Sequence, residues 1–304
     1  QENFLKEYSW LSDLKVRYNY GKTGSVEGIS NYERYSAIKT GGTLFGEDPS
    51  SHTSLWIDGM RSDQRTWETI DSHNFGLDFA FLNNRLRGSF DYFIKTNNGM
   101  FIGVDYPSVL GAGAPKTNNG KLRAKGWELA LNWNDQVGQV RYNIGASLSD
   151  ASSKVLELTN NNNVPNPGKN TSRLINKPIN AIYVYQTDGI FQSDAEAAAY
   201  VNSKGERLQP DAKAGDIRFK DVDNNGSIDS GDKVYSGSGI PKVEANLSFS
   251  GSYKNFDLSF QFGSAWGHKL YNVNRLYYEG MDAGRNYFTS TLDAWTPGNT
   301  GADI

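Results

Sequence analysis

The chain has 304 residues, no cysteine and a formal net charge of −3. Disulfides, thiolate zinc sites and cysteine nucleophiles are therefore excluded, and the charge balance gives no reason to expect a nucleic-acid partner. Mean hydropathy is −0.61, and no apolar run approaches the roughly 18 residues of a membrane-spanning helix; with 32 glycines and 13% aromatic residues, the composition suits one large β domain or two smaller ones.

Residues 1–13 carry Phe4, Tyr8 and Trp10 and read as a lead-in. Gln1-Glu2-Asn3 is neither basic nor followed by an apolar core, so a signal peptide has been removed or the chain is an internal piece. In residues 14–20, Leu14, Val16, Tyr18 and Tyr20 alternate with Lys15, Arg17 and Asn19. Side chains alternate across a strand, so period two predicts a strand. Residues 21–46 are polar and glycine-rich and read as a long loop, and Leu55-Trp56-Ile57 as a short strand.

Residues 66–95 carry the clearest pattern. Phe75, Leu77, Phe79 and Phe81 fall on one face, with Gly76, Asp78 and Ala80 on the other. Leu86, Gly88, Phe90, Tyr92 and Ile94 resume the apolar face, and Arg85, Arg87, Ser89, Asp91 and Lys95 the polar one. Asparagine tolerates positive φ, so Asn83-Asn84 predicts a two-residue hairpin turn that pairs Phe81 with Leu86 and Phe75 with Tyr92. Residues 100–106 extend this segment or begin another, and residues 107–120 read as a loop.

The device recurs. Residues 121–134, with Trp127, Leu129, Leu131 and Trp133 on one face, meet residues 139–151, with Val140, Tyr142, Ile144, Ala146 and Leu148, across a turn at 135–138. A polar loop follows at 160–170 and a short β-prone run at 182–186. Residues 194–202, DAEAAAYVN, predict a helix with Asp194 as N-cap. Residues 243–253 and 256–262 alternate again, joined at Lys254-Asn255, and residues 263–304 read as aromatic, polar and irregular.

A sandwich buries such an apolar face; a transmembrane barrel shows it to lipid. Strands of about ten residues, aromatics at strand ends (Trp127, Trp133, Tyr253), and short turns alternating with long connections favour the barrel. The fold class expected is therefore all-β, part of a large antiparallel transmembrane β-barrel with long extracellular loops. Roughly eight strands leave two open edges, which lipid does not tolerate, so the chain is expected to belong to something larger.

The acidic stretch 215–232 is the sharpest chemical signal. Asp221, Asp223, Asn225, Asp229 and Asp232 stand at positions 1, 3, 5, 9 and 12 of an EF-hand-type loop, with Gly226 at 6 and Ile228 at 8. The Ser227 carbonyl would supply position 7. Calcium needs six to eight hard oxygens, and alternate residues of a tight loop can aim them inward. Asp at position 12 has a shorter arm than the usual Glu, as in dockerin-type loops. Calcium here would stiffen an extracellular loop; the alternative is a solvated Asx/Gly turn cluster.

Other signals are weaker. His52, His73 and His268 have no acidic or nucleophilic companions nearby in sequence. Asp78, Glu128, Asp257, Arg85, Arg87 and Arg141 fall on polar strand faces and read as a lumenal hydrogen-bond network, the alternative being contact with a plug or substrate. Trp266, Tyr271, Tyr277, Tyr278, Tyr287 and Trp295 could stack on sugars, pack a loop or meet a partner. No catalytic constellation emerges.

Several runs together resemble the SusC/RagA family of TonB-linked outer-membrane proteins. They are RYNYGKTGS (17–25), NFGLDFAFLNNRLRGSFDYF, NNGKLRAKGWELALNW, INKPINAIYVYQTDGIFQS, AGDIRFKDVDNNGSIDSGDKV, GSYKNFDLSFQFG and LDAWTPGNTGADI, in order. The resemblance implies a 22-stranded barrel with an internal plug, in the outer membrane of a Bacteroidota-like bacterium. It also implies import of glycans or oligopeptides, a SusD-like surface lipoprotein as lid, and energy from TonB. The alternative is a non-transporting SusC-like barrel acting as a structural subunit of a larger outer-membrane complex. The chain matches the C-terminal part of such a barrel, without plug or TonB box.

Overall fold

The computed structural model describes residues 8–27, 29, 35–44, 51–57, 59, 65–103, 109, 116–158, 175–280, 284 and 286–302. Its strands are β1 (Leu11–Ser25), β2 (Ile38–Leu44), β3 (Ser51–Ile57), β4 (Glu68–Phe81), β5 (Leu86–Gly103), β6 (Lys116–Val137), β7 (Val140–Leu158), β8 (Ala181–Tyr185) and β9 (Thr187–Ile190). After helix α1 (Asp194–Ala199) come β10 (Ile217–Phe219), β11 (Lys233–Ser238), β12 (Val243–Tyr253), β13 (Phe256–Trp266) and helix α2 (Val273–Glu279).

Two compact units result. The first carries a seven-stranded antiparallel sheet, ordered β1-β4-β5-β6-β7-β12-β13, and the β2–β3 hairpin. The second carries the β8–β11 and β9–β10 ladders and α1 in the connection between β7 and β12, together with the residues after β13.

Registers in the large sheet follow from the alternation. A one-residue slip would turn every side chain to the wrong face; the shifts that occur are local, at Leu11–Asp13, Asn98–Phe101 and Lys121–Leu122, towards the ends of the ladders. Val16, Leu77, Phe90, Leu129, Leu148 and Ala245 lie in one cross-strand row. Leu14, Phe79, Gly88, Leu131, Ala146, Leu247 and Phe262 form a second. Asn83 and Asn84 both take positive φ, 55° and 67°, and Arg85 N–H donates to the Leu82 carbonyl at 3.2 Å. Lys254, at φ 54°, turns the third hairpin.

Apolar residues on the outward face stay open: Val16, Phe75, Leu247, Leu258 and Phe262 are 46% to 79% exposed. A face of this size left bare in water would drive association, and lipid is its natural cover. The strands of the large sheet, 11 to 22 residues long, reach or exceed the nine to eleven that a tilted crossing needs. No described helix is long and apolar enough to cross a membrane.

Several elements differ from the sequence reading. Residues 21–25 continue β1, paired through Ser25 with Glu68, and residues 38–44 form β2, although 21–46 reads locally as loop. A long partner strand supplies the ladder that polar, glycine-rich sequence does not advertise. Residues 116–120 belong to β6 for the same reason. The second turn narrows to Gly138-Gln139, because Gly138 takes φ 60° and lets Val137 pair with Val140. Residues 104–108, 110–115 and 159–174 lie outside the described residues.

In the second unit, Ser193 rather than Asp194 caps α1: its hydroxyl accepts from Glu196 N–H at 3.1 Å. Asp194 instead accepts from Ala214 N–H at 2.9 Å. Phe191 is fully buried, edge-on to Tyr200, with the Arg218 guanidinium 5.9 Å over its ring. Strands β9, β10 and β11 are too short to show a period in sequence. In the tail, 263–266 complete β13 and 273–279 form α2.

Candidate functional site

The polar face of the large sheet divides in two. Across β1, β4 and β5 it is charged. Arg17, Gly76 and Asp91 lie in one cross-strand row, with Asp78 in the next. Arg17 Nε and Nη2 donate to Asp78 at 2.8 Å each, and Nη1 and Nη2 donate to Asp91 at 3.1 and 3.0 Å. The guanidinium spans a whole strand because Gly76 leaves the way clear: a Cβ there would sit 2.6 Å from Arg17 Cζ. Two-pronged pairing of this kind suits the planar, five-donor fork of arginine and not lysine.

Across β6, β7 and β12 the same face is mostly neutral. Asn143 Nδ2 donates to Asn132 at 2.8 Å and to Asn134 at 2.6 Å, and Asn246 Nδ2 to Ser147 at 3.3 Å. Arg87, Glu128, Arg141 and Asp257 make no side-chain ion pair or hydrogen bond among the described residues and stay free for whatever occupies this side. Of the expected polar-face residues, then, Asp78 and Arg85 (3.5 Å from Asp135) are paired. Arg17 and Asp91 were not singled out in sequence. They sit 74 residues apart and meet only once the β1–β4 and β4–β5 registers are set.

A double-mutant comparison tests the cluster. Arg17→Ala is expected to lower the unfolding temperature of the full-length protein more than Asp78→Asn with Asp91→Asn, because it strands two carboxylates together. Adding Asp91→Asn to Arg17→Ala should recover part of the loss; no recovery would mean that the three side chains do not act together.

The acidic loop closes on itself. Asp221 accepts from Asn225 N–H and Gly226 N–H at 3.1 and 2.9 Å, and Asn225 Oδ1 accepts from Ser227 N–H at 2.8 Å. Gly226 takes φ 87° to make the bend, a conformation that favours glycine. Its carbonyl is held at 3.0 Å by Asn202 Nδ2. Asp232 is completely buried and accepts from Val222 N–H and Asp229 N–H at 2.7 Å each and from Asp223 N–H at 3.5 Å. Burial opposes its charge, but these backbone donors outweigh burial and hold its carboxyl below the ordinary carboxylate range.

Carboxylate oxygens of Asp221, Asp223 and Asp232 lie within 4.8 Å of one another. Ligands at 2.3–2.6 Å from one calcium stand at most about 5 Å apart, so the spacing fits; Asp232 Oδ1 already takes two backbone donors, but Oδ2 takes one and keeps a lone pair for an ion. Asp229 is not in this group: it accepts from Gly231 N–H at 2.6 Å and exchanges a capping box with Asp232. Asn225, at position 5, donates to Asp223 at 3.1 Å through Nδ2.

Three of the remaining candidates have contacts within the chain. His73 Nδ1 lies 3.0 Å from the Tyr18 hydroxyl on the apolar face. Trp295 lies over Gly215 and donates to Gln192 at 2.9 Å, so it packs a loop rather than presenting a free ring. Tyr278 packs at a tilt against Phe288, ring centroids 5.0 Å apart.

No family model matches the chain. It is 27% identical over 316 residues to TonB-dependent receptor P3 of Formosa agariphila, covering 100% of this chain and 30% of the relative. It is 27% identical over 308 residues to TonB-dependent receptor SusC of Bacteroides thetaiotaomicron, covering 96% of this chain and 28% of SusC. Among solved structures, the RagAB peptide transporter matches with a TM-score of 0.75 at 24% identity, over 99% of this chain and 32% of that one. The RagAB peptide importer in its closed-closed state matches with a TM-score of 0.77, at the same identity. The chain thus spans about 30% of the length of the curated relatives it matches. These likenesses bear out the SusC/RagA resemblance, the outer-membrane β-barrel class and the outer-membrane location.

Proposed function

We propose that the protein to which this SusC/RagA-like barrel wall belongs is a TonB-dependent importer of glycans or oligopeptides, working with a SusD-like surface lipoprotein. The observation that carries the reading is the one-sided wall: a polar face continuous across seven strands, in a chain whose full length is matched by a TonB-dependent receptor. The polar face holds water and solutes on one side while the apolar face meets lipid. Import needs no bond to be made or broken in the substrate. It needs capture beneath the lid and displacement of a plug, and the neutral Asn and Ser ladder offers hydrogen bonds that do not hold a passing solute tightly. We infer further that Asp221, Asp223 and Asp232, with Asn225, the Ser227 carbonyl and Asp229 alongside, hold a calcium ion, which would tie the acidic loop rigidly when bound.

The test is uptake by cells with and without the gene. Labelled oligopeptides and glycans are offered with the proton-motive force intact or collapsed, and the native protein is extracted in detergent. Loss of energy-dependent uptake of one class, with one co-purifying lipoprotein, is expected. Unchanged uptake of both classes, with the chain tied into a many-subunit assembly, would overturn import in favour of a structural subunit.

A further inference from the structure

Beyond the apolar band, at the end of the sheet that carries the long connections, the outward face turns basic. Alternation on β6 places Arg123 and Lys125 on the face of Trp127 and Leu129, and alternation on β7 places Lys154 on the face of Leu148. Arg123 and Lys154 are direct cross-strand partners, and Lys125 lies opposite Ser152. All three are exposed, and none makes a side-chain ion pair or hydrogen bond among the described residues. Nearby cations behave differently: Lys121 meets Glu157 at 3.2 Å and Lys22 meets Asp71 at 3.7 Å. On the other flank, Ile94 and Thr96 of β5 face Lys125 and Arg123 and bring no acid. Asp150, the carboxylate next along this face, lies opposite Trp127 and forms no ion pair with them.

Like charges set directly opposite each other destabilise a ladder, so this trio calls for an anion from outside the sheet. Depth says which. Lys125 and Arg123 stand two and four residues beyond Trp127. At about 3.3 Å per residue and a tilt of about 45°, they lie roughly 5 and 9 Å above it. The headgroup layer on each side of a bilayer is about 5–8 Å thick, and long basic side chains reach further along it. Short turns of such barrels face the periplasm and long connections face outward, so the trio meets the outer leaflet.

We propose that Arg123, Lys125 and Lys154 form a binding site for the phosphorylated headgroup of an outer-leaflet glycolipid of the lipid A type. The site needs only that the wall stand in the outer membrane; it does not depend on what the protein imports.

The test uses the full-length protein, purified in mild detergent and titrated with lipid A and with enzymatically dephosphorylated lipid A, read by native mass spectrometry. Wild type is expected to bind lipid A roughly 100-fold more tightly than R123Q/K125Q/K154Q, at roughly fivefold per cation. The charge-keeping R123K/K154R variant should bind as wild type does. Dephosphorylated lipid should bind wild type only as well as lipid A binds the neutral variant. Equal affinity of wild type for the two lipids overturns the site, and so does equal lipid A affinity of wild type and the neutral variant. The comparison of the two lipids decides on wild type alone if the neutral variant does not fold.

Discussion

Gly126→Val stops β6 from closing onto β7. Gly126 is buried on the inner face, opposite Ala151. A Cβ there would lie 2.3 Å from the Asp150 carbonyl oxygen, 2.8 Å from Phe93 Cζ and 3.1 Å from Ala151 Cα. Two of those three atoms are backbone, so no rotamer change relieves the clash; the strands must part. Overpacking in a fixed site costs about 1–3 kcal/mol and occasionally more, and separating a ladder belongs at the upper end. Gly88→Ala makes the useful contrast. There the Cβ would meet the Phe79 ring at 2.3 Å, and an outward-facing ring can swing into lipid. The measurement is heat-modifiable migration of the full-length protein from outer membranes. Gly126→Val should yield little folded barrel and Gly88→Ala a nearly normal amount. Wild-type yield and unfolding temperature for Gly126→Val would refute the β6–β7 register.

Asp232→Ala opens the acidic loop and is expected to abolish the calcium binding proposed for it. The substitution orphans the N–H groups of Val222, Asp223 and Asp229, which now end on one buried carboxylate. A buried donor left without a partner costs about 1–3 kcal/mol; these donors are only part-buried, so the local loss for the three together is about 1–3 kcal/mol, enough to loosen the loop for protease. It also removes one of the three carboxylates that converge. Limited proteolysis of the full-length protein, with calcium and with chelator, reads both effects. Wild type should be protected by calcium and Asp232→Ala cut in either condition. Equal resistance of the two proteins, unmoved by calcium, would sink the calcium loop.

Acid should imitate the substitution. The folded Asp232 carboxyl titrates below its ordinary value of 3.8, so its contribution is complete above that pH and is lost as pH falls below it. Protection of the loop is therefore expected to be flat from neutral pH down to about 4 and to fail only in stronger acid. Loss of protection between pH 5 and 7 would mean that a different group controls the loop.

How much could be read without the structure depends on how far apart the interacting residues are. Period-two faces, and the first and third hairpins with their registers, follow from residues a few positions apart; the second turn, read at 135–138, closes at Gly138-Gln139 instead. Asn83-Asn84 closes a turn and Phe81 then meets Leu86 with no help from the rest of the chain. The spacing of the acidic loop was legible for the same reason, since the residues proposed as ligands fall within twelve consecutive positions, 221–232. Where a partner lies far off, the local pattern misleads. Residues 38–44 become a strand only against 51–57, and residues 233–238 only against 181–185. At α1 the sequence pointed to Asp194 as the cap; Ser193 caps instead, and the Ala214 amide takes Asp194 elsewhere.

By itself, the sequence determined that this chain is a one-sided wall: greasy and aromatic on one face, polar on the other, with tight turns and long connections. Alternation is a covalent property of an extended chain, and no packing is needed to see it. Only the tertiary structure decided what the two faces carry. It brought Arg17 across Gly76 to Asp78 and Asp91, sorted the polar face into a charged half and a neutral half, and set Arg123 against Lys154 beside the apolar band. Those arrangements depend on registers between strands, and a register exists only once the strands have met.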